Sequence, residues 1–370
     1  MQPQLKISII GTRGYPSFYG GFETALRTLV PYLAEQGCKV VIYGRKKHVR
    51  FDSRLLTSSI QSITTKGFDF KSLSTLTHGG TATLHILRNK PDAVLVMNVA
   101  NGYFLPLLKF FKIPTVVNVD GIEWERKKWS RLGQVVFKFG AYLCSKFADV
   151  LVADSREIAR IWKDRFNREL IYIPYGASEH IDLVAPADLP ISEYILYVAR
   201  LVPENSIEVF LDAIENETER KVVIVGREAL PGSVETRIEK MLLERPHIVW
   251  LKHINDQDFL ASLWKYCGLY FHGHTVGGTN PALVQAMHLG APILAVDTQF
   301  NRETLAEGGF FTDANASSIQ LALKDAFSSG DLIKEMKTMN ITRVRNEYNW
   351  QLVCEKYYQT LIGVYYLRKV

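Results

Sequence analysis

The stretch Leu170-Ile-Tyr-Ile-Pro-Tyr-Gly176 precedes a loop rich in Ala, Pro and Asp (177–190), and Tyr194-Ile-Leu-Tyr-Val198 follows that loop. One series of strand-like runs thus ends before Pro174, and a second series begins at Tyr194. The chain therefore predicts two domains, 1–178 and 190–350. For the last helical segment, 351–370, packing on either domain stays open, including a crossing back to the N-terminal domain.

Short apolar runs alternate with segments of helical period on both sides of this loop. The strand-like runs are Lys6–Ile10, Lys39–Tyr43, Ala93–Met97, Thr115–Val119, Val150–Ala153, Leu170–Ile173, Tyr194–Val198, Lys221–Val225, Ile248–Leu251, Gly268–His272 and Pro292–Ala295. Continuous apolar strands separated by helices indicate parallel sheets covered on both faces. We predict an α/β fold of two doubly wound domains that face each other across a cleft, with ligands beyond the carboxyl ends of the strands.

Composition excludes several protein classes. With 47% hydrophobic residues in 370, the chain is not disordered, and 25 Gly and 14 Pro exclude a collagen-like sequence. The net charge of +6 is uneven, because residues 1–180 hold 26 Lys and Arg against 14 Asp and Glu, whereas residues 181–370 carry −6. The basic half indicates an anionic partner. Its charges are scattered and match no recognised nucleic-acid-binding module, so we expect no nucleic acid partner.

The cysteines and the apolar segments bear on the cellular compartment. The four cysteines are more than 80 residues apart, which excludes metal or redox spacings and favours buried thiols in a reducing cytosol. Lys109 and Lys112 interrupt the longest apolar window, so we expect no membrane span. The start of the chain lacks the pattern of a signal peptide. We expect a cytoplasmic protein that can still touch a membrane surface.

Two loops of the first half carry candidate chemistry. The loop Gly11-Thr-Arg-Gly14 to Gly20-Gly21 fits neither a dinucleotide fingerprint nor a Walker motif, yet Gly20-Gly21 opens a helix whose amides could approach a diphosphate. A tight turn before an ordinary helix is the alternative. In the loop 118–129, Asp120 is a candidate general base or sugar-hydroxyl ligand, with an Asx-turn as the alternative. Lipid headgroups or phosphates are candidate ligands of the cations around Trp129, with a solvated helix face as the alternative; these cations are Arg126, Lys127, Lys128 and Arg131.

Two loops of the second half are candidates for anion binding. Arg200 follows a strand and could clamp a diphosphate through its guanidinium, although a surface ion pair is as common. Gly277-Gly278-Thr279-Asn280 leads into a helix and would present free N–H groups to an anion.

Two further patterns suggest a metal but have simpler interpretations. His272 and His274 lack a third ligand nearby, so we expect no metal. Asp256-Gln-Asp258 matches an acid-x-acid pattern, but Asp256 is better interpreted as a helix N-cap.

Together these loops resemble glycosyltransferase family 4, and most closely its bacterial rhamnosyltransferase branch. The matching stretches are Gly11-Thr-Arg-Gly14, Tyr19-Gly20-Gly21-Phe22-Glu23, Val119-Asp120-Gly121-Ile-Glu123-Trp124, Arg200-Leu-Val-Pro203-Glu204-Asn205 and His272-Gly-His274 to Gly277-Gly278-Thr279-Asn280-Pro281. They occur in the expected order over nearly the whole chain. The resemblance implies the GT-B fold, with an N-terminal acceptor domain and a C-terminal nucleotide-sugar domain, and retaining sugar transfer without a metal or other cofactor.

The resemblance also implies roles for individual residues. Asp120 would lie at the acceptor or reaction centre, Arg200 would neutralise the donor diphosphate, and Gln285 would bind the nucleotide. The other residues implied at the donor diphosphate and sugar are Gly20, Gly21, Asn205, Gly277, Gly278, Thr279 and Asn280. The residues implied at the acceptor or the membrane are Glu123, Trp124, Arg126, Lys127 and Lys128.

Three positions depart from the wider family. Gly277 and Gln285 stand where that family has glutamates, and Asn205 stands where it has a diphosphate-binding lysine. An amide can hydrogen-bond a hydroxyl, but without the assistance of charge.

The leading hypothesis is transfer of L-rhamnose from dTDP-rhamnose to a lipid-linked saccharide in bacterial surface polysaccharide synthesis. The enzyme would then work peripherally on the inner face of the plasma membrane. A sugar-nucleotide epimerase on the same fold, and a catalytically weak partner of a polysaccharide-synthesis complex, are the alternatives.

Overall fold

A computed structural model describes residues 4–16, 21–45, 55–67, 73–126, 129–215, 217–228 and 232–368. The chain forms two compact units. The first comprises Met1–Pro174 together with Trp350–Val370, and the second comprises Tyr175–Asn349. The chain thus leaves the first unit once and returns to it at its C-terminal end.

The first unit is built on a parallel sheet of seven strands. They are Lys6–Ile10 (β1), Lys39–Arg45 (β2), Ile60–Thr65 (β3), Ala93–Met97 (β4), Thr115–Asn118 (β5), Val150–Ala153 (β6) and Ile171–Tyr172 (β7). Their order is β3-β2-β1-β4-β5-β6-β7. All five residues of β4 are buried, as expected for a central strand covered on both faces.

In the described part of this unit, five α-helices connect these strands. They are Gly21–Glu35 (α1), Leu73–Asn89 (α2), Leu105–Phe110 (α3), Arg131–Phe147 (α4) and Arg156–Phe166 (α5). Side-chain hydroxyls cap two of them, because Ser130 accepts from the amide of Gly133 and Ser155 accepts from that of Ile158. The helix α5 ends at Asn167, which adopts the left-handed conformation common at helix C-termini.

The second unit holds a six-stranded parallel sheet. Its strands are Ile195–Val198 (β8), Val222–Val225 (β9), Ile248–Lys252 (β10), Leu269–His272 (β11), Ile293–Val296 (β12) and Phe310–Thr312 (β13). Their order is β10-β9-β8-β11-β12-β13. The helices are Ile207–Ala213 (α6), Ser233–Glu244 (α7), Gln257–Tyr266 (α8), Pro281–His288 (α9), Gln299–Leu305 (α10), Ala316–Phe327 (α11) and Gly330–Glu347 (α12).

The last helix, Trp350–Leu367 (α13), packs on α1, β4 and β5 of the first unit. Its buried face includes Leu361 and Tyr357, and the Tyr357 hydroxyl accepts a 2.6 Å bond from Nδ2 of Asn118 at the end of β5. Arg368 donates to both carboxylate oxygens of Asp149. These contacts tie the C-terminal helix to the N-terminal sheet.

The prediction of two doubly wound α/β domains is confirmed, because both sheets contain the 3-2-1-4-5-6 strand order of that architecture, to which the first sheet adds β7 at one edge. The segment predicted as a linker, 177–190, differs in detail, since its first residues are held by the second unit. Ala177 donates its amide to the carbonyl of Tyr348 at 2.9 Å, and Ser178 is bonded to Gln285. Of the helices that the structure describes, none has the length and apolar character needed to cross a bilayer.

Candidate active site

In each sheet the strand order reverses between two neighbouring strands, β1 and β4 in the first unit and β8 and β11 in the second. Ligands of such sheets bind beyond the carboxyl ends of the strands at this point. The loops that follow these strands, together with the loop after β5, hold most of the predicted site residues.

In the first unit, Asp120 is held by Asn98, which follows β4, and by Asn118, the last residue of β5. Its Oδ2 accepts a 3.0 Å bond from Nδ2 of Asn98, and its amide donates to Oδ1 of Asn118 at 2.8 Å. Asn98 and Asp120 both have positive φ, 74° and 61°, a conformation that Asn and Asp tolerate better than most residues. Asn98 is not among the residues predicted from the sequence, although a polar residue directly after the apolar run Ala93–Met97 is a recognisable signal.

The carboxyl group of Asp120 is electrostatically perturbed. The side chain is half-buried, and burial raises its pKa above the ordinary range. The neighbouring carboxylate of Glu123 raises this pKa further, against the opposing effect of Arg126. A half-buried carboxyl with a raised pKa at a strand end is typical of a functional acid.

The residues after Asp120 differ from the predicted acceptor or membrane surface. Glu123 is buried, where Oε1 lies 2.8 Å from Nε of Arg126 and Oε2 accepts a 2.8 Å bond from Nε1 of Trp129. Trp124 is also buried and its ring packs edge-on against Trp162. Apolar contact and charge pairing draw these side chains inward, so this turn supports the loop rather than presenting its side chains to a membrane. Lys127 and Lys128 lie outside the described residues.

The loop after β1 is fixed from within. The buried carboxylate of Glu23, in the first turn of α1, accepts a 2.8 Å bond from the amide of Arg13. Gly11 has φ +90° and lies so close to the carbonyl of Met97 that a Cβ there would be 1.9 Å from that oxygen. Gly21 is the first residue of α1, as the sequence predicts, whereas Gly20 lies outside the described residues.

In the second unit, Arg200 presents its guanidinium to solvent at the end of β8. Its side chain is 57% exposed, and Nη2 lies 3.8 Å from Oε1 of Glu204, a long ion pair that leaves the cation accessible. Asn205 is buried, and its Nδ2 donates to the carbonyl of Arg200 at 2.9 Å. The Asn205 amide therefore shapes the Arg200 loop from inside, and its predicted contact with the donor stays a prediction.

The glycine-rich loop after β11 is joined to the Arg200 loop. Thr275 donates both its amide and its hydroxyl to the carbonyl of Glu204, each at 2.9 Å. A Cβ on Gly273 would lie 2.3 Å from the carbonyl oxygen of Asn205, so only glycine permits this approach. The two loops that sequence analysis singled out in this half are therefore held side by side.

The next residues lead directly into α9. Gly277 has φ +116°, which favours glycine, and Gly278 follows it. Thr279 is buried, and Oδ1 of Asn280 accepts a 2.9 Å bond from the amide of Ala282, which caps the helix. The structure thus places the helix N-terminus next to the predicted anion-binding loop.

Gln285, predicted to contact the nucleotide, is hydrogen-bonded to the backbone of Ser178, and the nucleotide contact stays a prediction. Its Oε1 accepts from the amide of Ser178 at 2.8 Å, and its Nε2 donates to the carbonyl of Ser178 at 3.0 Å. Both ends of the amide group are therefore bonded to one backbone residue. A glutamate could accept the first bond but could not donate the second.

His272 is a buried neutral histidine at the end of β11. Its Nδ1 lies 2.9 Å from the Tyr270 hydroxyl, and its ring stacks on that of His274 with centroids 4.4 Å apart. Burial, together with His274, holds its pKa well below the ordinary range. Within the described ranges there is no group of three or more His, Cys, Asp or Glu arranged to hold a metal. Asp256 caps α8 through its Oδ1, so the interpretation of this acid as an N-cap is confirmed.

The fold is that of known glycosyltransferases. Sucrose-phosphate synthase from Thermosynechococcus elongatus is 15% identical and superposes with a TM-score of 0.80 over 98% of this chain and all of that one. HepE from Anabaena in complex with UDP and glucose gives 16% identity and a TM-score of 0.74, over 97% and 99% of the two chains. WaaG, a glycosyltransferase involved in lipopolysaccharide biosynthesis, is 14% identical and superposes with a TM-score of 0.70, over 96% of this chain and 100% of that one. The chain therefore has the GT-B fold, with two Rossmann-like domains.

Sequence similarity adds two partial matches. Residues 189–342 match the family model of glycosyl transferases group 1. Residues 105–178 match a domain of unknown function, DUF1972. No curated protein sequence matches the chain.

Proposed function

We propose that the protein is a retaining glycosyltransferase that uses a sugar nucleotide and works without a metal. One observation carries the proposal. In the group 1 glycosyl transferase domain, the exposed Arg200 is held beside the glycine-rich loop that opens α9. A cation and a helix N-terminus at the same edge of a sheet are suited to binding a diphosphate.

This arrangement suits the chemistry of the leaving group. A nucleoside diphosphate gains negative charge as the bond to the sugar breaks, and fixed positive groups stabilise that charge in the transition state. Arg200 and the amides of Gly277–Thr279 would supply them. The acceptor hydroxyl would attack the sugar from the same face that the leaving group departs from. As the sugar–phosphate bond breaks and the new glycosidic bond forms, the leaving phosphate oxygen would take the proton of this hydroxyl.

The first unit would hold the acceptor near Asp120. The carboxylate accepts from Asn98 and keeps lone pairs for an acceptor hydroxyl. A carboxylate whose pKa is raised by burial and by Glu123 is a stronger hydrogen-bond acceptor once it is ionised, so it would orient the acceptor hydroxyl while the leaving phosphate takes the proton.

We further propose that the donor is dTDP-rhamnose and the acceptor a lipid-linked saccharide of bacterial surface polysaccharide. The likeness of the quoted loops to rhamnosyltransferases of family 4 supports the donor. HepE has been solved with UDP-glucose, and WaaG is involved in lipopolysaccharide biosynthesis, which supports a sugar nucleotide and a cell-envelope product. The protein would act at the inner face of the plasma membrane.

The test incubates purified protein with a panel of sugar nucleotides, with and without a lipid-diphosphate-linked sugar acceptor. We expect sugar transfer only when the acceptor is present, most rapidly from dTDP-rhamnose, and unchanged after EDTA. Conversion of the donor without acceptor would instead indicate an epimerase. Donor binding without turnover on any acceptor would indicate the catalytically weak partner.

A further inference from the structure

Two neighbouring helices of the first unit expose apolar side chains where surface helices normally carry polar ones. We call this set the apolar ridge, and it consists of Leu107 and Phe110 of α3, the following Phe111, and Leu132, Val135, Phe139 and Tyr142 of α4. Phe110 is 79% exposed, Leu132 74% and Val135 60%. The helix α3 packs against α4, so these side chains lie on adjacent elements.

The ridge on α4 is a regular stripe. Its members are spaced three, four and three residues apart, which places them on one face of the helix. A second apolar stripe, with Phe137, Ala141 and Cys144, is buried against the rest of the unit. A surface helix needs only the second stripe to pack on its sheet. The exposed stripe therefore calls for a separate explanation, since large exposed apolar patches mark interaction sites.

The charges around the ridge indicate which partner it meets. Residues 105–112 and 131–147 contain no Asp or Glu but five cations, all exposed: Lys109, Lys112, Arg131, Lys138 and Lys146. The nearest acid, Asp149, is bonded to Lys109 and Arg368. A surface with exposed apolar side chains flanked by lysine and arginine is typical of proteins that insert shallowly among lipid headgroups. Long cationic side chains can reach the phosphates while the apolar side chains enter the acyl boundary.

We propose that α3 and α4 dock the protein on an anionic membrane through the apolar ridge. This deepens the proposed function, on which it rests in part, because a lipid-linked acceptor lies in a bilayer. Residue 131, the first of α4, follows the loop that begins at Asp120, so docking through α4 would bring that loop to the membrane surface. The ridge also differs from the predicted surface at Glu123 and Trp124, whose side chains are buried.

Vesicle flotation tests the proposal directly. Wild-type protein is mixed with vesicles of neutral phosphatidylcholine alone, or with about a third of anionic phosphatidylglycerol. We expect binding to the anionic vesicles that weakens with salt, and little binding to the neutral ones. The variant Leu132→Ser/Val135→Ser should lose on the order of tenfold in affinity, and Lys138→Glu/Lys146→Glu a similar amount.

A matched control uses exposed leucines of the second unit. Leu243 of α7 is 89% exposed and Leu321 of α11 is 62% exposed, so Leu243→Ser/Leu321→Ser removes comparable apolar surface elsewhere. This variant should bind as the wild type does, and thermal unfolding should show that every variant is folded. Equal vesicle binding by ridge and control variants would overturn the proposal. Concentration-dependent dimers that dissociate only in the ridge variant, with no binding to vesicles, would assign the ridge to a second copy of the chain and also overturn it.

The same variants separate this proposal from the proposed enzyme activity. If the wild type binds vesicles through the ridge but transfers no sugar, docking stands and the proposed function fails. If ridge and wild-type proteins transfer sugar equally to a detergent-solubilised acceptor, and only the ridge variant loses activity on acceptor in vesicles, both proposals stand.

Discussion

Arg200 owes its accessibility to the residues around it. Asn205 holds the Arg200 carbonyl from inside the loop, and Glu204, which pairs with the guanidinium only at long range, is anchored through its own carbonyl by Thr275. The loop is therefore rigid while the cation stays free to bind an anion. Such preorganisation lets a charge stabilise a transition state without reorganising first.

Replacing Arg200 with alanine should lower the rate of sugar transfer by roughly tenfold to a thousandfold, the usual range for loss of one transition-state donor. Steady-state kinetics with saturating donor and acceptor measure this. Arg237→Ala is the matched control, because Arg237 is another partly exposed arginine of the second unit, paired with Asp212. An unchanged rate for Arg200→Ala, or an equal loss in the control, would remove Arg200 from the mechanism.

Replacing Asp120 with asparagine should lower the activity but raise the stability at neutral pH. Because the folded state raises its pKa from the ordinary 3.8, wild-type protein loses stability as pH rises from that value through the raised pKa. Asp120→Asn removes this loss, so at neutral pH the variant should unfold at higher temperature than wild type, with the difference vanishing below about pH 3.8. Its rate of sugar transfer should fall by about 10²–10⁴ if Asp120 assists the acceptor hydroxyl.

Asp149→Asn supplies the contrasting control. Burial raises the pKa of Asp149, but hydrogen bonds from Lys109 and Arg368 outweigh this and lower it overall. Asp149→Asn should therefore destabilise the protein at neutral pH. Melting curves recorded across pH 3–8 compare the two variants. A loss of stability in Asp120→Asn like that in Asp149→Asn would contradict the raised pKa of Asp120.

At the scale of elements, the side-chain amide of Gln285 ties helix α9 to the segment after the domain boundary. Gln285→Glu would set a carboxylate against the carbonyl of Ser178 and should destabilise the protein by about 1–3 kcal/mol. Gln257→Glu is the control, since Nε2 of Gln257 also donates to a carbonyl, that of Asn255, but on the exposed surface. Chemical denaturation measures both variants. If Gln285→Glu left the stability unchanged but altered the affinity for the donor, Gln285 would contact the nucleotide instead.

The elements also show what sequence patterns could predict. The central strands were found almost to the residue, and Lys6–Ile10, Ala93–Met97 and Val150–Ala153 agree with the structure at both ends. The pattern missed β3 and β13, which lie at the edges of their sheets. Edge position alone is not the reason, since the edge strands β7 and β10 were predicted. The strand β3 reads Ile-Gln-Ser-Ile-Thr-Thr with a mixed burial pattern, and β13 has 3 residues, so neither forms a long apolar run.

For the candidate site, the sequence predicts where the residues lie in the fold better than it predicts their contacts. Residues that follow predicted central strands, such as Asp120 and Arg200, were found because the strand end fixes their place. The inward turn of Glu123 and Trp124 and the pairing of Gln285 with Ser178 depend on partners distant in sequence, such as Trp162. Such tertiary contacts leave no local pattern in the chain.

At the scale of the whole molecule, the division into two units sharpens the charge asymmetry. The first unit holds 29 Lys and Arg against 14 Asp and Glu, a net +15, and the second holds 15 against 24, a net −9. The C-terminal segment 350–370 adds to the basic unit. A net field of one sign can draw an anionic membrane or acceptor to the first unit, whereas the second would have to bind the proposed anionic donor through local groups such as Arg200.

Because the chain returns to the first unit, the C-terminal helix should stabilise the first sheet rather than the second. A matched pair of buried leucines tests this. Leu361 of α13 and Leu283 of α9 are both fully buried, but they belong to the first and second units respectively. Leu361→Ala and Leu283→Ala should each cost about 2–5 kcal/mol through the cavity that they leave. Hydrogen exchange resolved along the chain should show faster opening of α1, β4 and β5 in Leu361→Ala, and of β8, β11 and β12 in Leu283→Ala. If Leu361→Ala instead loosened the second sheet and left β4 and β5 protected, the C-terminal helix would belong to the stability of the second unit.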